Sequence, residues 1–212
     1  MGSPERARGA AAYMKTQDPF FGVGAQPLRS VIRDLVKVHA PRDQAEYQAQ
    51  ILALWFIPER EGKYAAIEWA RHFKACITLE ALPLYERLVR EGQWWDTVDA
   101  IAAHLVGRVL LDHRKKVKPL LEKWSRDDNL WIRRTALLAH LKHKEATDQK
   151  QLLEHCLSLA PEKDFFIRKA IGWALREYSK TAPEVVRAFL DTNRGALSGL
   201  SYREGTKRLP PN

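Results

Sequence analysis

The segment Ile101-Ala-Ala-His-Leu105 recurs 36 residues later as Leu137-Leu-Ala-His-Leu141. A second pair of segments, Ile132-Arg-Arg-Thr-Ala and Ile167-Arg-Lys-Ala-Ile, recurs at a spacing of 35 residues. A period of this length is typical of tandem repeats in which each repeat holds two helices. The sequence therefore predicts an α-solenoid of HEAT-like helical pairs that curves around a basic concave groove.

Apolar periodicity predicts helices along the whole chain. Leu28, Val31 and Ile32 begin one amphipathic pattern, and Asp43 precedes the next as a candidate N-cap. About ten such patterns follow one another with short connections, and none shows the alternation of a strand. The last two predicted helices, Phe165 to Tyr178 and Pro183 to Leu190, are followed by a polar tail. We therefore expect an all-α protein.

The predicted domain organisation is simple. We expect a single HEAT-like helical-repeat domain over residues 1–212, because no linker composition interrupts the helical patterns. Residues 1–12 have no clear period and are expected to be frayed or to form a short helix. Residues 206–212 are expected to form a tail.

Positive charge is concentrated in one part of the chain. The formal net charge is +9, and residues 113–144 contain ten Lys or Arg against three acidic residues. Such clustering favours a polyanionic partner, with nucleic acid ahead of an anionic membrane because no lipid-anchor motif is visible. The alternative is a basic, solvated surface without a partner.

The two cysteines, Cys76 and Cys156, form neither a metal-binding spacing nor a disulfide framework, which favours a reducing, intracellular setting. The first residues lack the apolar region of a signal peptide, and no apolar run approaches the roughly 18 residues of a membrane helix. We expect a cytoplasmic protein, with the bacterial cytoplasm or nucleoid as its setting.

The stretch Gln93-Trp94-Trp95-Asp96-Thr97-Val98-Asp99 contains the first candidate site. On a helix, Trp95 and Asp99 share a face one turn apart. An aromatic face beside a carboxylate suits a cationic ligand. The alternative is a buried tryptophan with an aspartate that caps or pairs with a neighbouring helix. Trp94 and Asp96 point elsewhere and are interpreted as structural.

The repeat places other candidates on helices equivalent to that of Asp99. Arg133 and Arg134 fall in the first turns of one such helix, where guanidinium and helix N–H groups together can clamp a phosphate. For Arg133 a salt bridge to Asp127 or Asp128 is the favoured alternative. The next equivalent helix carries Arg168, Lys169 and Trp173.

Gly172, in the middle of that last helical pattern, costs about 1 kcal/mol relative to Ala. It permits the close approach of a ligand or of a neighbouring helix, and the two explanations are equally good.

The motifs of common hydrolases are absent. The sequence has no Ser-His-Asp order, glycine-rich phosphate loop, HExxH motif or Cys/His ligand set, and its seven histidines are scattered without ligand spacing. An enzyme built on this chain would therefore work without a metal or a nucleophilic triad. One carboxylate and two aromatic faces suffice to stabilise an oxocarbenium-like sugar when the leaving base is already positively charged.

Three motifs resemble those of the AlkD-type DNA alkylation-repair glycosylases, a HEAT-like all-helical family. They are Trp94-Trp95-Asp96-Thr97-Val98-Asp99, Asp128-Asn-Leu-Trp-Ile-Arg-Arg134 and Phe165-Phe-Ile-Arg-Lys-Ala-Ile-Gly-Trp-Ala-Leu-Arg-Glu-Tyr178. The resemblance covers about residues 13 to 205. Only twelve residues precede Tyr13, which implies a shortened first helix compared with the family.

The resemblance implies a role for each matching residue. Asp99 matches the catalytic carboxylate, and Trp95 and Trp173 match the aromatic pair that flanks the lesion. Arg134 matches an arginine near the phosphates, and Tyr13 matches a tyrosine on the wall of the cleft. The family removes N3- and N7-alkylated purines, and this type is thought to act without flipping the base.

We therefore expect a monofunctional glycosylase that acts as a monomer on double-stranded DNA containing alkylated purines, with no membrane and no metal or organic cofactor involved. Arg133, Arg168 and Lys169 are expected to join Arg134 and Tyr13 in binding DNA. The rival interpretation is a non-catalytic helical-repeat scaffold that binds DNA or protein.

Overall fold

Side chains that accept hydrogen bonds from backbone N–H groups mark the beginning of many helices. In the computed structural model, which describes residues 2–210, the defined elements are all helical and no strand occurs within that range. This confirms the predicted all-α class. The chain divides into two compact units, Met1–Leu84 and Tyr85–Asn212, here called the N-terminal and C-terminal units. The single domain over residues 1–212 stays a prediction.

The N-terminal unit is built from amphipathic helices joined by short turns. Its helices are α1 (Pro4–Met14), α2 (Ala25–Leu35), α3 (Gln44–Trp55) and α4 (Arg60–His72), followed by the 3₁₀ turns Lys74–Cys76 and Leu79–Ala81. The Asp43 carboxylate accepts the Glu46 N–H at 2.8 Å, which confirms Asp43 as the N-cap of α3. The predicted short helical start over residues 1–12 corresponds to α1, although Met1 lies outside the described residues.

The C-terminal unit continues the helical pattern. After α5 (Leu82–Gly92), which reaches into it, its helices are α6 (Trp95–Ile101), α7 (Gly107–Asp112), α8 (Arg114–Trp124), α9 (Leu130–Leu138), α10 (Gln149–Ser158), α11 (Phe165–Tyr178), α12 (Pro183–Thr192) and α13 (Gly199–Thr206). A π-helical segment, Ala102–Val106, joins α6 to α7 without a break. His143 contacts the Gly107 carbonyl oxygen at 2.8 Å, at the end of that segment.

Two caps define the starts of the repeat-equivalent helices α9 and α11. Asn129 accepts the Trp131 N–H at 2.8 Å, and Asp164 accepts the Phe166 N–H at 2.7 Å. Each cap satisfies backbone donors that have no partner within the helix. The bounds of α11 are those predicted from the sequence.

Helix α13 lies where a polar tail was predicted after the helix that begins at Pro183, so that prediction is wrong for residues 199–206. Its buried face consists of Ser201, Glu204 and Gly205 rather than large apolar residues. It packs against α11 at Gly172, where an added Cβ would lie 2.8 Å from the Ser201 carbonyl oxygen. The close approach of a neighbouring helix, α13, therefore explains why a glycine occupies position 172. Of the predicted tail, Thr206 ends α13, and residues 211–212 lie outside the described residues.

The apolar core of the C-terminal unit lies between α9, α10, α11 and α12. It includes buried residues of each helix, such as Leu137, Leu152, Ile171 and Val186. Burial of this surface holds the repeats together and fixes the side chains that project from their first turns. Within residues 2–210, no helix has the length and apolar character needed to cross a membrane.

Candidate functional site

Helices α6 and α9 bring Asp99 and Arg134 into direct contact. The guanidinium donates from Nε to Oδ1 at 2.7 Å and from Nη2 to Oδ2 at 2.8 Å. This two-point contact fixes the carboxylate in the plane of the guanidinium. The Arg134 side chain is 4 % exposed and that of Asp99 is 14 % exposed, so the pair is largely shielded from solvent. A contact between residues 35 positions apart follows the period of the repeat.

Burial and Arg134 act on the ionisation of Asp99 in opposite directions. Burial raises the pKa of Asp99 above its usual value, and the nearby Asp96 charge adds to the rise. Arg134 opposes this rise through its hydrogen bonds and its charge, which favour the carboxylate. Without Arg134, the buried carboxyl would therefore keep its proton to a still higher pH.

Arg134 has a second partner residue, on helix α11. Its Nη1 donates to the Phe166 carbonyl oxygen, and its Cζ lies 6.0 Å from the centroid of the Phe166 ring. The phosphate contact expected for Arg134 stays a prediction; in the structure the guanidinium is buried and binds Asp99 and Phe166. Its geometry is that of a side chain that holds the carboxylate.

Arg133 also binds protein groups. Its Nε and Nη2 donate to the Glu162 carboxylate at 2.6 and 3.0 Å, and its Nη1 donates to the Asp127 and Asp128 carbonyl oxygens at 2.6 and 2.8 Å. The expected salt bridge between Arg133 and an Asp127 or Asp128 carboxylate is therefore wrong, because the carboxylate that pairs with Arg133 is that of Glu162. The Asp127 carboxylate pairs instead with Arg90 at 2.6 Å.

The predicted aromatic residues occupy different surroundings. Trp95 begins α6, one turn before Asp99, and is half-buried. Trp173 is half-buried on α11 and packs against the apolar core of the C-terminal unit. Tyr13 lies near the end of α1 in the N-terminal unit, with 74 % of its surface exposed. The structure thus links Trp95 to Asp99 through their helix and gives Trp173 a contact with the core.

The two predicted cations of α11 are both engaged. Arg168 donates from Nε to the Glu162 carbonyl oxygen at 2.9 Å. Lys169 lies 2.7 Å from a carboxylate oxygen of Glu204, and its side chain remains 37 % exposed. Arg176 reaches the other Glu204 oxygen at 2.6 Å. Arg168 and Lys169 are both half-buried, and their predicted contacts with DNA stay predictions.

An aromatic cluster beside the Asp99–Arg134 pair was not predicted. Its members, Trp94, Trp131 and Phe166, come from the starts of α6, α9 and α11, and their ring centroids are 4.9 to 5.9 Å apart. Their spacings of 37 and 35 residues match the repeat, and this was the signal that could have identified them. Trp94, which was interpreted as structural, packs against the rings of Trp131 and Phe166.

A histidine cluster was also missed. The His140 ring lies 5.6 Å from that of His143 and 6.2 Å from that of His155. Burial is the main reason why the pKa of His140 is lowered to about 3, and the neighbouring rings lower it further. No group of three or more His, Cys, Asp or Glu in residues 2–210 is arranged to hold a metal ion. Burial also lowers the pKa of His143 and His155, so it favours the neutral form of all three rings.

Fold and site together define an all-helical repeat protein in which two adjacent repeats enclose a carboxylate–guanidinium pair. The model of the family described as "DNA alkylation repair enzyme" matches residues 1–209. The chain belongs to this family. A comparison with curated proteins gave no match.

Solved structures with the same fold include proteins from two bacteria. The chain is similar to a structure described as a "predicted DNA alkylation repair enzyme" from Enterococcus faecalis, at 32 % identity and a TM-score of 0.91, covering 100 % of this chain and 98 % of that one. It is also similar in fold to AlkD2 from Streptococcus mutans, at 17 % identity and a TM-score of 0.66, covering 97 % and 100 %. These neighbours confirm the AlkD-type helical-repeat fold predicted from the sequence motifs.

Proposed function

We propose that this protein is a monofunctional DNA glycosylase. It hydrolyses the N-glycosidic bond of cationic N3- or N7-alkylated purines in duplex DNA and leaves an abasic site. The observation that carries the proposal is the shielded, two-point contact between Asp99 and Arg134 in a chain of the DNA alkylation repair family. A carboxylate held in this way is a fixed negative charge in a surrounding of low polarity, where electrostatic effects are strong.

The chemistry requires little beyond that charge. The bond between C1′ and the purine nitrogen breaks, and its electron pair neutralises the cationic base, which leaves without being protonated. The sugar becomes oxocarbenium-like, and the Asp99 carboxylate stabilises its positive charge. Water then forms a bond to C1′ and gives up a proton to Asp99 or to solvent.

The remaining residues take supporting roles. Trp95, one turn from Asp99, and Trp173 offer aromatic faces to a cationic base and its deoxyribose. Tyr13 and Lys169 keep exposed surface for the DNA backbone. Arg133, Arg134 and Arg168 shape the site through their protein partners. We propose that the lesion is processed without being flipped into a pocket, as the resemblance to the AlkD type implies.

Binding to DNA is proposed to depend mainly on exposed cations. The excess of Lys and Arg in residues 113–144 provides them, and contacts with phosphates release counterions. Affinity should therefore fall steeply as salt increases. We further propose that the protein acts as a monomer in the bacterial cytoplasm, where damaged DNA is its partner.

The direct test is release of free base from a duplex that contains N7-methylguanine. Asp99→Asn keeps the size of the side chain but removes its charge. We expect it to lower the rate of base release at least 100-fold, because one well-placed electrostatic group contributes on this order. Single-turnover measurements with excess protein separate this loss from a loss of binding.

The matched control is Asp112→Asn, which removes the same charge at the end of α7. Asp112 is exposed and pairs with Arg108 at 2.6 Å, so its loss should leave the rate unchanged. Absence of base release by the wild-type protein, together with intact DNA binding, would favour the non-catalytic scaffold.

A further inference from the structure

The Asp99–Arg134 pair is held from a third helix. The Phe166 carbonyl oxygen on α11 accepts the Nη1 donor of Arg134 that Asp99 does not use. Asp99, Arg134 and Phe166 therefore come from three repeat-equivalent helices, α6, α9 and α11. The position of the guanidinium depends on where the first turn of α11 presents this carbonyl group.

That first turn is fixed by Asp164. One carboxylate oxygen of Asp164 accepts the N–H groups of Phe166 and Ile167 at 2.7 and 3.2 Å. Phe166 is thus bound at both of its backbone groups, its N–H to Asp164 and its carbonyl to Arg134. A substitution of Asp164 can therefore displace Arg134 through one intervening residue, Phe166.

The segment that carries Asp164 is tied back to α9. Arg133 donates twice to the Glu162 carboxylate, and Arg168 donates to the Glu162 carbonyl oxygen. Two adjacent arginines of α9 therefore bind the chain on either side of Asp164. Arg133 binds Glu162 before it, and Arg134 binds Phe166 after it. Such a closed set of contacts resists displacement of either helix.

The aromatic cluster adds a second restraint. The Phe166 ring lies 4.9 Å from the Trp131 ring and 5.3 Å from the Trp94 ring. Trp94 directly precedes α6, the helix of Asp99, and Trp131 lies in the first turn of α9. Packing of these rings fixes the first turns of α6, α9 and α11 relative to one another. The contacts among Asp99, Arg134 and Phe166 require this alignment.

We propose that Asp164, together with Arg133 through Glu162, is a positioning residue for base release: it holds Phe166 against Arg134 and thereby keeps the Asp99 carboxylate aimed at the reacting sugar. This inference rests on the proposed glycosylase function. Asp164 touches neither substrate nor Asp99, and its effect passes through the first turn of α11. Arg133 contributes to the site from within the protein rather than through DNA.

Loss of this restraint has a specific consequence. A freed Arg134 would spend less time in its two-point contact, so burial would act on Asp99 with less opposition. The charged groups that act on the pKa of Asp99 include Arg134 from α9 and Asp96 from its own helix. The pKa of Asp99 should then rise, and the acid limb of the rate profile should move to higher pH.

The experiment compares Asp164→Ala with Asp164→Asn. Alanine removes the acceptor, whereas asparagine caps helices about as well as aspartate. We expect Asp164→Ala to lower kcat for base release about tenfold with little change in KM. The pKa of Asp99, followed by NMR of ¹³C-labelled aspartate carboxyl groups, should increase in the same variant. Asp164→Asn should restore both properties.

The matched control is Asp43→Ala, which removes the same kind of cap from α3. It should lower the melting temperature to a similar extent and leave the Asp99 titration and kcat unchanged. Asp164→Gly provides a second variant should Asp164→Ala fail to fold, since glycine at this position lowers helix stability only slightly.

Unchanged kcat and an unchanged Asp99 titration in Asp164→Ala or Asp164→Gly would overturn the inference. Equal losses in Asp164→Asn and Asp164→Ala would overturn it as well, because the cap bond would then be irrelevant. The NMR titration needs no activity. A shifted titration with no base release by the wild type would uphold the positioning role and reject the glycosylase proposal.

Discussion

At the scale of single residues, the site is defined by what Arg134 faces. The sequence placed Asp99 and Arg134 on equivalent helices, because the 35-residue period is visible in it. It did not show that the two side chains meet, since a contact between helices depends on the rotation of each helix about its axis. Arg134 was therefore expected to face a phosphate, whereas it is 4 % exposed and holds Asp99.

Replacement of Arg134 tests whether its main role is to hold the Asp99 carboxylate. Arg134→Ala leaves the Asp99 carboxylate buried without its partner, which typically costs about 3–5 kcal/mol of unfolding free energy. Denaturant unfolding measures the loss, and the double variant with Asp99→Ala should recover part of it. The salt dependence of DNA binding should keep its slope. A slope reduced by about one would instead indicate a phosphate contact by Arg134.

At the scale of helices, the sequence predicted those elements that carry an apolar stripe. Helix α11 has both a cap, Asp164, and apolar residues at helical spacing, and its predicted bounds match the structure. Helix α13 has neither a large apolar face nor a strong period, and it was missed. It is held by close backbone approach at Gly172 and by the ion pairs of Glu204, which no local pattern displays.

Gly172→Ala tests that approach. The added methyl group would meet the backbone of Ser201 and the side chain of Glu204, so α13 must move away from α11. We expect a loss of about 1–3 kcal/mol in the free energy of unfolding, as is usual for overpacking. Gly9→Ala is the control: nothing lies within 4 Å of an added Cβ there, and alanine should stabilise α1 slightly. Similar losses in both variants would contradict this explanation.

At the scale of the whole molecule, buried histidines make stability depend on pH. The pKa of His140 is about 3 in the folded protein, below the value of about 6.5 expected when unfolded. Between these values the unfolded chain binds more protons, so stability falls as pH decreases from 6.5 towards 3. The charged groups that act on His140 include Asp148 and Arg114, and the neighbouring His155 is buried as well.

The measurement is unfolding free energy at a series of pH values. We expect stability to decline below about pH 6.5 by up to about 5 kcal/mol in total for His140. His140→Leu should flatten this dependence, whereas replacement of the exposed His39 by Gln should not. The cluster could not be predicted because His140 and His143 follow α9 while His155 lies on α10, and only packing joins them.

The π-helical segment between α6 and α7 has a consequence for how the chain tolerates changes in length. A π turn contains one residue more than an α turn, so it corresponds to a single inserted residue. Each residue of an α-helix advances the helix by about 100°. Deletion of one residue within Ala102–Val106 would let a regular helix form, and Trp95 and Asp99 would keep their direction relative to the buried side chains of α7, because the π turn already accommodates the additional residue. For a helix with this number of residues, the π-helical segment therefore determines the direction in which Asp99 points.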